Sequence, residues 1–335
     1  MKRNRLKELT QKKLWLAPLA GVTDVAFRTI CKDCGAEIMV SEMCSADGLL
    51  YNRERTLIYA GFDNSHRPFG IQLFGSDPQI ISRAAASIID LKPDFIDINM
   101  GCPVKKVIKK GAGAALLRDI PRAKAIITSL KALLSGTGIL LSAKIRSGWD
   151  RYNIICLDLA RELEAAGLDM ICLHPRTKNQ MYSGVSDWSL ITKLTETLTI
   201  PVIGNGDIRS WQDAERMLST TACDSIMIGR GILGKPWLLS EIKARLHNHE
   251  FMPFTPQEKL EIIRKHLLLS VRNKGEKMAL TEMRTHFSWY TKGFRGGSVV
   301  RDFINRSYDT DDILNAIDHL YSNNPEISDY GYIYG

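Results

Sequence analysis

Several short stretches of this sequence hold side chains able to act on a bound molecule: Asn99-Met100-Gly101-Cys102-Pro103, Lys144 with Arg146, His174-Pro175-Arg176, Asn205-Gly206-Asp207 and Gly229-Arg230-Gly231. A lone cysteine is usually a small buried apolar residue. Cys102, however, closes an apolar run between a glycine and a proline, with Asn99 beside it, which favours a thiol facing a ligand. The glycine-bearing segments 204–207 and 229–231 suit a phosphate, which backbone N–H groups and Arg230 would hold. Lys144 supplies a cation, and His174 a donor or acceptor. Gln72 both donates and accepts, as the edge of a planar ring requires. Together these residues point to a phosphorylated planar ligand rather than a metal.

The elements that must position them are legible as a repeat. Short apolar runs fall at 14–20, 38–42, 69–75, 95–101, 139–146, 170–174, 201–207 and 225–231. They are too short for helices and read as buried parallel strands. Helical patterns lie between them at 24–34, 77–91, 120–134, 152–166, 187–198 and 210–220. Such alternation predicts a (β/α)8 TIM barrel rather than an open sheet, and it puts the polar run ends, Pro18 among them, at one mouth. The pattern changes at Pro253-Phe254-Thr255-Pro256. Helical stretches follow at 256–274, 277–292, 298–307 and 310–322, a small all-α bundle. The expected organisation is a catalytic barrel over 1–250 and a helical domain over 251–335.

Composition narrows the class. Hydrophobic residues make up 44% and charged residues 24% of the 335 residues, as in soluble globular proteins. No run approaches the ~20 apolar residues of a membrane span. The basic N-terminus lacks the apolar segment of a secretory signal. Seven cysteines at irregular spacings read as reduced thiols, which places the expected location in the cytoplasm. Cys31-x-x-Cys34 sits within a helical pattern without a second pair and reads as core packing, not zinc. Gly111-x-Gly113 has Leu116 at the third glycine position and no strand before it, so it is not a dinucleotide fingerprint. The net charge of +8 is uneven: residues 1–13 carry six Lys/Arg against one acid, and 257–306 carry eleven against five. Basic patches suit a polyanion such as nucleic acid. From net charge alone, a solvated charged face is the plainer explanation.

Longer motifs are more specific. APLAGVTDVAFR (17–28), SEM (41–43), QLFGSDP (72–78), DINMGCPVKKVIKKGAGAALL (97–117), AKIRSGW (143–149), HPRT (174–177), NGDI (205–208), MIGRG (227–231) and HFSWYTKG (286–293) resemble the tRNA-dihydrouridine synthases, nearest the bacterial B-type branch. The resemblance runs over nearly the whole chain. It implies FMN as cofactor, NADPH as reductant, and reduction of the uracil 5,6 double bond of particular uridines in tRNA. Carried over by position, Pro18, Gln72, Lys144, His174, Asn205, Gly206, Asp207, Gly229 and Arg230 would form the FMN site. Cys102 would be the general acid, and Asn99 and Arg176 would face the uracil, with Lys144 and His174 near it. Pro175 departs from the family pattern, and a proline removes a backbone N–H there. The basic residues then read as RNA backbone holders: Lys105, Lys106, Lys109 and Lys110 after Cys102, and Arg284, Lys292, Arg295 and Arg301 among Trp289, Tyr290 and Phe294. For Trp289 a place in the core of the bundle is the favoured reading.

Two other functions compete at this stage. One is a flavin barrel acting on a free small molecule such as dihydroorotate or an enone, which needs no basic appendage. The other is an RNA chaperone with a structural flavin, in which losing Cys102 changes nothing.

Overall fold

The computed structural model describes residues 2–324. The last part of the expected helical domain, 325–335, lies outside the described residues. The strands are β1 (Leu14–Leu16), β2 (Ile38–Val40), β3 (Cys44–Ser45), β4 (Phe69–Phe74), β5 (Phe95–Met100), β6 (Leu140–Gly148), β7 (Met170–Thr177), β8 (Val202–Asn205) and β9 (Ser225–Ile228). All their pairings are parallel. β1 pairs with both β2 and β9, β2 pairs with β4, and β4 through β9 each pair with the next. That ring is a closed eight-stranded barrel, the (β/α)8 architecture expected, and each apolar run supplies one of its strands. The two-residue β3 lies outside the ring, beside the end of β4.

The strands read as apolar because both of their faces are covered. At their amino ends Trp15, Ile38, Phe95, Leu140 and Met170 form one buried cluster. Gly70 is required there, because a Cβ at that position would sit 2.1 Å from the ring of Phe95, its register partner. An unexpected helix, Lys2–Gln11, precedes the barrel and buries Leu9 in the same cluster. Its only apolar residues are Leu6 and Leu9, so the basic segment gives little amphipathic signal.

The described chain forms two compact units, 1–20 with 37–229, and 21–36 with the chain from 230. The second unit is helical. Its longest helix, Pro256–Lys274, begins at a capping box of Thr255 and Glu258 with Pro256 in the first turn. Glu276–Tyr290, Gly297–Arg306 and Thr310–Ser322 follow. Ile263, Leu267, Leu280, Phe287, Tyr290 and Ile317 are among the residues of its core. The helix Val25–Asp33 packs within this unit, and its Phe27 ring lies 5.3 Å from His266 and 4.8 Å from His286. Cys31 and Cys34 are buried there as core residues. Tyr290 is the fully buried ring of the segment 289–294, whereas Trp289 is only half-buried. No described helix is long and apolar enough to cross a membrane.

Candidate active site

Alternation along a strand puts residues i and i+2 on one face. In β5 this aligns Asp97 with Asn99, and their register partners on β6 are Ser142 and Lys144. The result is a polar chain inside an otherwise apolar barrel. Asp97 is buried and accepts from Ser142 Oγ at 2.6 Å and from Gln72 Nε2 at 2.6 Å. Gln72 Oε1 accepts from Asn99 Nδ2 at 2.9 Å. Asn99 Oδ1 accepts from the backbone N–H groups of Gly101 at 3.1 Å and Cys102 at 2.8 Å. Asn99 therefore fixes the turn that presents Cys102. Burial raises the Asp97 pKa against the hydrogen bonds from Ser142 and Gln72 and the pull of Lys144. Asp97, Ser142 and Ser41, which takes the Gln72 N–H at 2.9 Å, were not among the expected site residues. The available signal was an acid two positions before Asn99 within an apolar strand.

Cys102 is half-buried, unlike the other six cysteines. Burial pushes its thiol up, opposed by the Val104 backbone N–H and the charge of Arg146. Gly113 keeps the turn closed: it has φ +60°, and a Cβ there would meet the Cys102 carbonyl oxygen at 2.9 Å.

From its place beside Asn99, Lys144 Nζ donates to Asn205 Oδ1 at 2.8 Å, and Asn205 Nδ2 donates to the Met227 carbonyl at 2.6 Å. Burial lowers the Lys144 pKa. The hydrogen-bond partner of this ammonium is thus an amide oxygen, while the nearby Asp97 carboxylate is engaged by Ser142 and Gln72. Gly206 has φ +119°, and a Cβ there would lie 2.4 Å from Ser186 Oγ and 2.9 Å from His174. Pro18 and Gly229 stand half-buried at the ends of β1 and β9, within the same barrel unit. Arg230 follows Gly229 in the chain and opens a short 3-10 turn, Arg230–Ile232.

Arg176 is fully buried, and its guanidinium is engaged throughout by protein. Nε donates to Ser183 O at 3.1 Å, and Nη1 donates to Ser186 Oγ at 2.8 Å and lies 3.3 Å from His174 Nε2. Nη2 donates to Gly184 O at 2.5 Å and to Asp207 Oδ2 at 2.8 Å. Burial works against the Asp207 charge, but the Ser186 N–H and Arg176 outweigh it and hold this carboxyl below its usual range. Arg176 and Asp207 thereby lock His174, the 183–186 loop and the end of β8 together. Pro175 sits where β7 carries one residue more than β6 between the paired Arg146–His174 and Gly148–Thr177 positions. A bulge is where a strand tolerates a residue without an N–H.

Of the expected RNA contacts in the barrel unit, Lys105, Lys106, Lys109 and Lys110 are all exposed, on and just after the helix Lys105–Ile108. In the helical unit Lys292 and Arg295 are exposed. Arg301 instead donates to Thr291 O at 3.0 Å, and Arg284 lies over the Tyr308 ring at 5.3 Å.

A closed parallel barrel with a thiol, a lysine, a histidine and paired amides at the carboxyl ends of its strands has the layout of a barrel enzyme. The dihydrouridine synthase (Dus) family profile matches residues 15–324. The tRNA-dihydrouridine synthase B of Pseudomonas aeruginosa is 36% identical over 301 residues, covering 89% of this chain and 90% of the relative. A probable tRNA-dihydrouridine synthase of Mycobacterium tuberculosis is 39% identical over 296 residues, covering 85% of this chain and 76% of the relative. Among solved structures, histamine dehydrogenase from Rhizobium sp. 4-9 is similar in fold, with a TM-score of 0.52 at 14% identity over 82% of this chain and 49% of that one. The chain belongs to the dihydrouridine synthase family.

Proposed function

We propose that this enzyme reduces the 5,6 double bond of particular uridines in tRNA, using FMN and NADPH, with Cys102 as the proton donor. The observation that carries this reading is Cys102 itself: it is the half-buried thiol among seven cysteines, held by Asn99 at the mouth of the barrel. Its raised pKa keeps it protonated at neutral pH, the form a general acid needs.

The residues fit a flavin. A buried ammonium hydrogen-bonded to an amide oxygen favours an electron-rich partner, which the pyrimidine edge of a flavin provides. Gln72, Lys144, His174, Asn205 and Gly206, with Pro18, Asp207 and Gly229, would hold FMN. Reduced flavin, when bound, supplies the hydride for carbon 6 of the uracil. Cys102 gives its proton to carbon 5. Lys144 stabilises negative charge developing on the oxygen of carbon 4. Asn99 orients the thiol through its backbone, and Arg176 orients His174 as a positioning residue.

The RNA part of the reading draws on the relatives' names and on the four exposed lysines that follow Cys102. A base must leave its stack to enter such a mouth, at a cost of a few kcal/mol that is smaller in an unpaired loop. The test is single-turnover oxidation of pre-reduced, flavin-loaded enzyme by unmodified tRNA. Wild type should form dihydrouridine. Cys102→Ala should keep flavin and tRNA binding yet lose ~10²–10⁴-fold in rate. A wild-type rate in that variant would overturn the proton-donor role, and equal reduction of free uridine would overturn the RNA part.

A further inference from the structure

Two loops of the barrel unit are tied into one rigid surface beside the mouth. The loop after β6 folds back on itself: Trp149 N donates to Asn153 O at 3.1 Å and Ile155 N to Ser147 O at 2.9 Å. Gly148 permits this, since a Cβ there would lie 1.9 Å from the Asn153 oxygen. The loop after β7 is attached alongside, with Lys178 N donating to Gly148 O at 2.8 Å and Asn179 N to Trp149 O at 3.0 Å. From beneath, Arg146 donates to Thr177 O at 2.8 Å and to Met181 O at 2.6 Å. Met181 is held in the left-handed region at φ +53°, which a flexible loop would relax.

On this base stand exposed rings, each with a cation against it. Tyr152 is 78% exposed and Tyr182 46%. The Arg151 guanidinium lies 4.6 Å from the Tyr152 ring, and Arg146 lies 5.4 Å from that of Tyr182. Arg118 and Lys178 both lie over Trp149, at 4.8 Å and 4.5 Å. The acid of the first loop, Asp150, is turned to the Tyr152 and Asn153 N–H groups and the Asn153 amide. The surface adjoins the reacting thiol, because Arg146 Cγ lies 3.4 Å from where Gly101 would carry a Cβ.

We infer that loops 149–155 and 178–185 form a stacking shelf for the unpaired nucleotides flanking the target uridine. The inference rests on the RNA reading above. A polymer whose uracil reaches Cys102 must leave the mouth over its bordering loops. The exposed Tyr152 and Tyr182 rings, with the exposed Arg151 and Arg118 and the half-buried Lys178 among the loop rings, suit the bases and phosphates of a single strand, whereas the buried Arg146 serves as support beneath them. An apolar protein partner would offer no anionic group to Arg151, Arg118 and Lys178.

The test uses flavin-loaded, full-length enzyme and a synthetic RNA stem–loop with 2-aminopurine on each side of an unpaired loop uridine. A fully paired duplex of equal length is the control. Wild type should quench the 2-aminopurine. Tyr152→Ala with Tyr182→Ala should lose the quenching and bind the stem–loop about ten-fold or more weakly, with duplex affinity, flavin content and melting temperature kept. Phe at both positions should restore binding, because the ring stacks and the hydroxyl does not. Unchanged quenching and affinity in the Ala variant would overturn the shelf while leaving the enzyme's activity on tRNA standing. Intact RNA affinity with slowed flavin reduction by NADPH would also overturn it, by moving the rings to the dinucleotide. A wild-type enzyme that binds RNA in neither form would overturn the reading on which the shelf rests.

Discussion

Seven thiols share one chain, and burial sorts them. Cys34 and Cys172 are pushed up to about 12 and Cys156 to about 11, so they stay protonated and inert. Cys102 is raised too, but it reaches the mouth. In the proposed role of general acid it would work only while protonated, so the rate would fall as pH rises through its pKa. Because that pKa is raised, the single-turnover rate should stay flat past the ordinary thiol range, about pH 8.5, and fall only above it. Cys102→Ser should rescue little, a hydroxyl being the much weaker acid. A rate already falling from pH 7 would contradict a raised thiol. Arg176 makes a different kind of demand. Its donors are committed to Ser183, Gly184, Ser186, His174 and Asp207, and it is fully buried. Arg176→Met removes the buried partner of the Asp207 carboxylate, leaving it the Ser186 N–H and Arg209, and should cost up to about 3 kcal/mol of stability, read from urea unfolding. An arginine serving only a bound uracil would leave the unfolding midpoint where it was.

Among the elements, the barrel strands were legible because buried parallel strands are short continuous apolar runs. The helix Pro256–Lys274 was legible because the Pro253-Phe254-Thr255-Pro256 break marks its start. The network behind Cys102 was not, because Asp97 reads only as a break in an apolar run until β4 and β6 bring Gln72 and Ser142 to it. Nor were the partners of Arg176, which come from a loop seven to ten residues further on and from Asp207, just after β8. Nor does any sequence pattern pair His266 with His286. In the helical unit His266 and His286 in fact pack edge to face, 4.6 Å apart, with Phe27 and Tyr290 around them. Burial lowers His286 to about 4 and, with the charges of His286 and Lys274, holds His266 well below its usual range. The unfolded chain takes up these protons near pH 6.5, so it binds more of them than the folded chain between about 4 and 6.5. Stability of this unit is therefore full above that window and lost as pH falls through it, by His286 alone on the order of 2 kcal/mol at pH 5. Hydrogen exchange in Pro256–Lys274 and Glu276–Tyr290, corrected for intrinsic rates, should lose protection between pH 7 and 5. His286→Phe, which keeps a ring against Phe27 and cannot protonate, should lose less. Protection that does not change with pH would clear the pair of this role.

At the scale of the whole molecule, the net charge of +8 says little until the cations are sorted by what they already hold. Arg301 is committed to Thr291, and Lys274 donates to Asp24 at 2.6 Å and also to Glu282. Removing such residues would loosen a fold. Lys105 and Lys106 differ: both are exposed, and they lie in the helix that begins three residues after Cys102. On the proposed reading, a phosphate next to the target uridine would meet that helix. Each phosphate neutralised by a lysine releases condensed counterions, so the logarithm of affinity falls linearly with that of salt, by ~0.7–0.9 for every contact. Lys105→Gln with Lys106→Gln should therefore weaken tRNA binding at low salt and flatten the slope by about 1.4–1.8, if both contact phosphate. At high salt, where counterion release contributes less, the variant and wild-type curves should converge. Flavin content and melting temperature should not change, because neither side chain supports the barrel. Affinity measured from low to high salt by fluorescence anisotropy gives the slope directly. A variant that is weaker by the same factor at every salt concentration would mean that the substitutions disturbed the Cys102 turn instead, and an unchanged line would take these lysines out of the RNA interface.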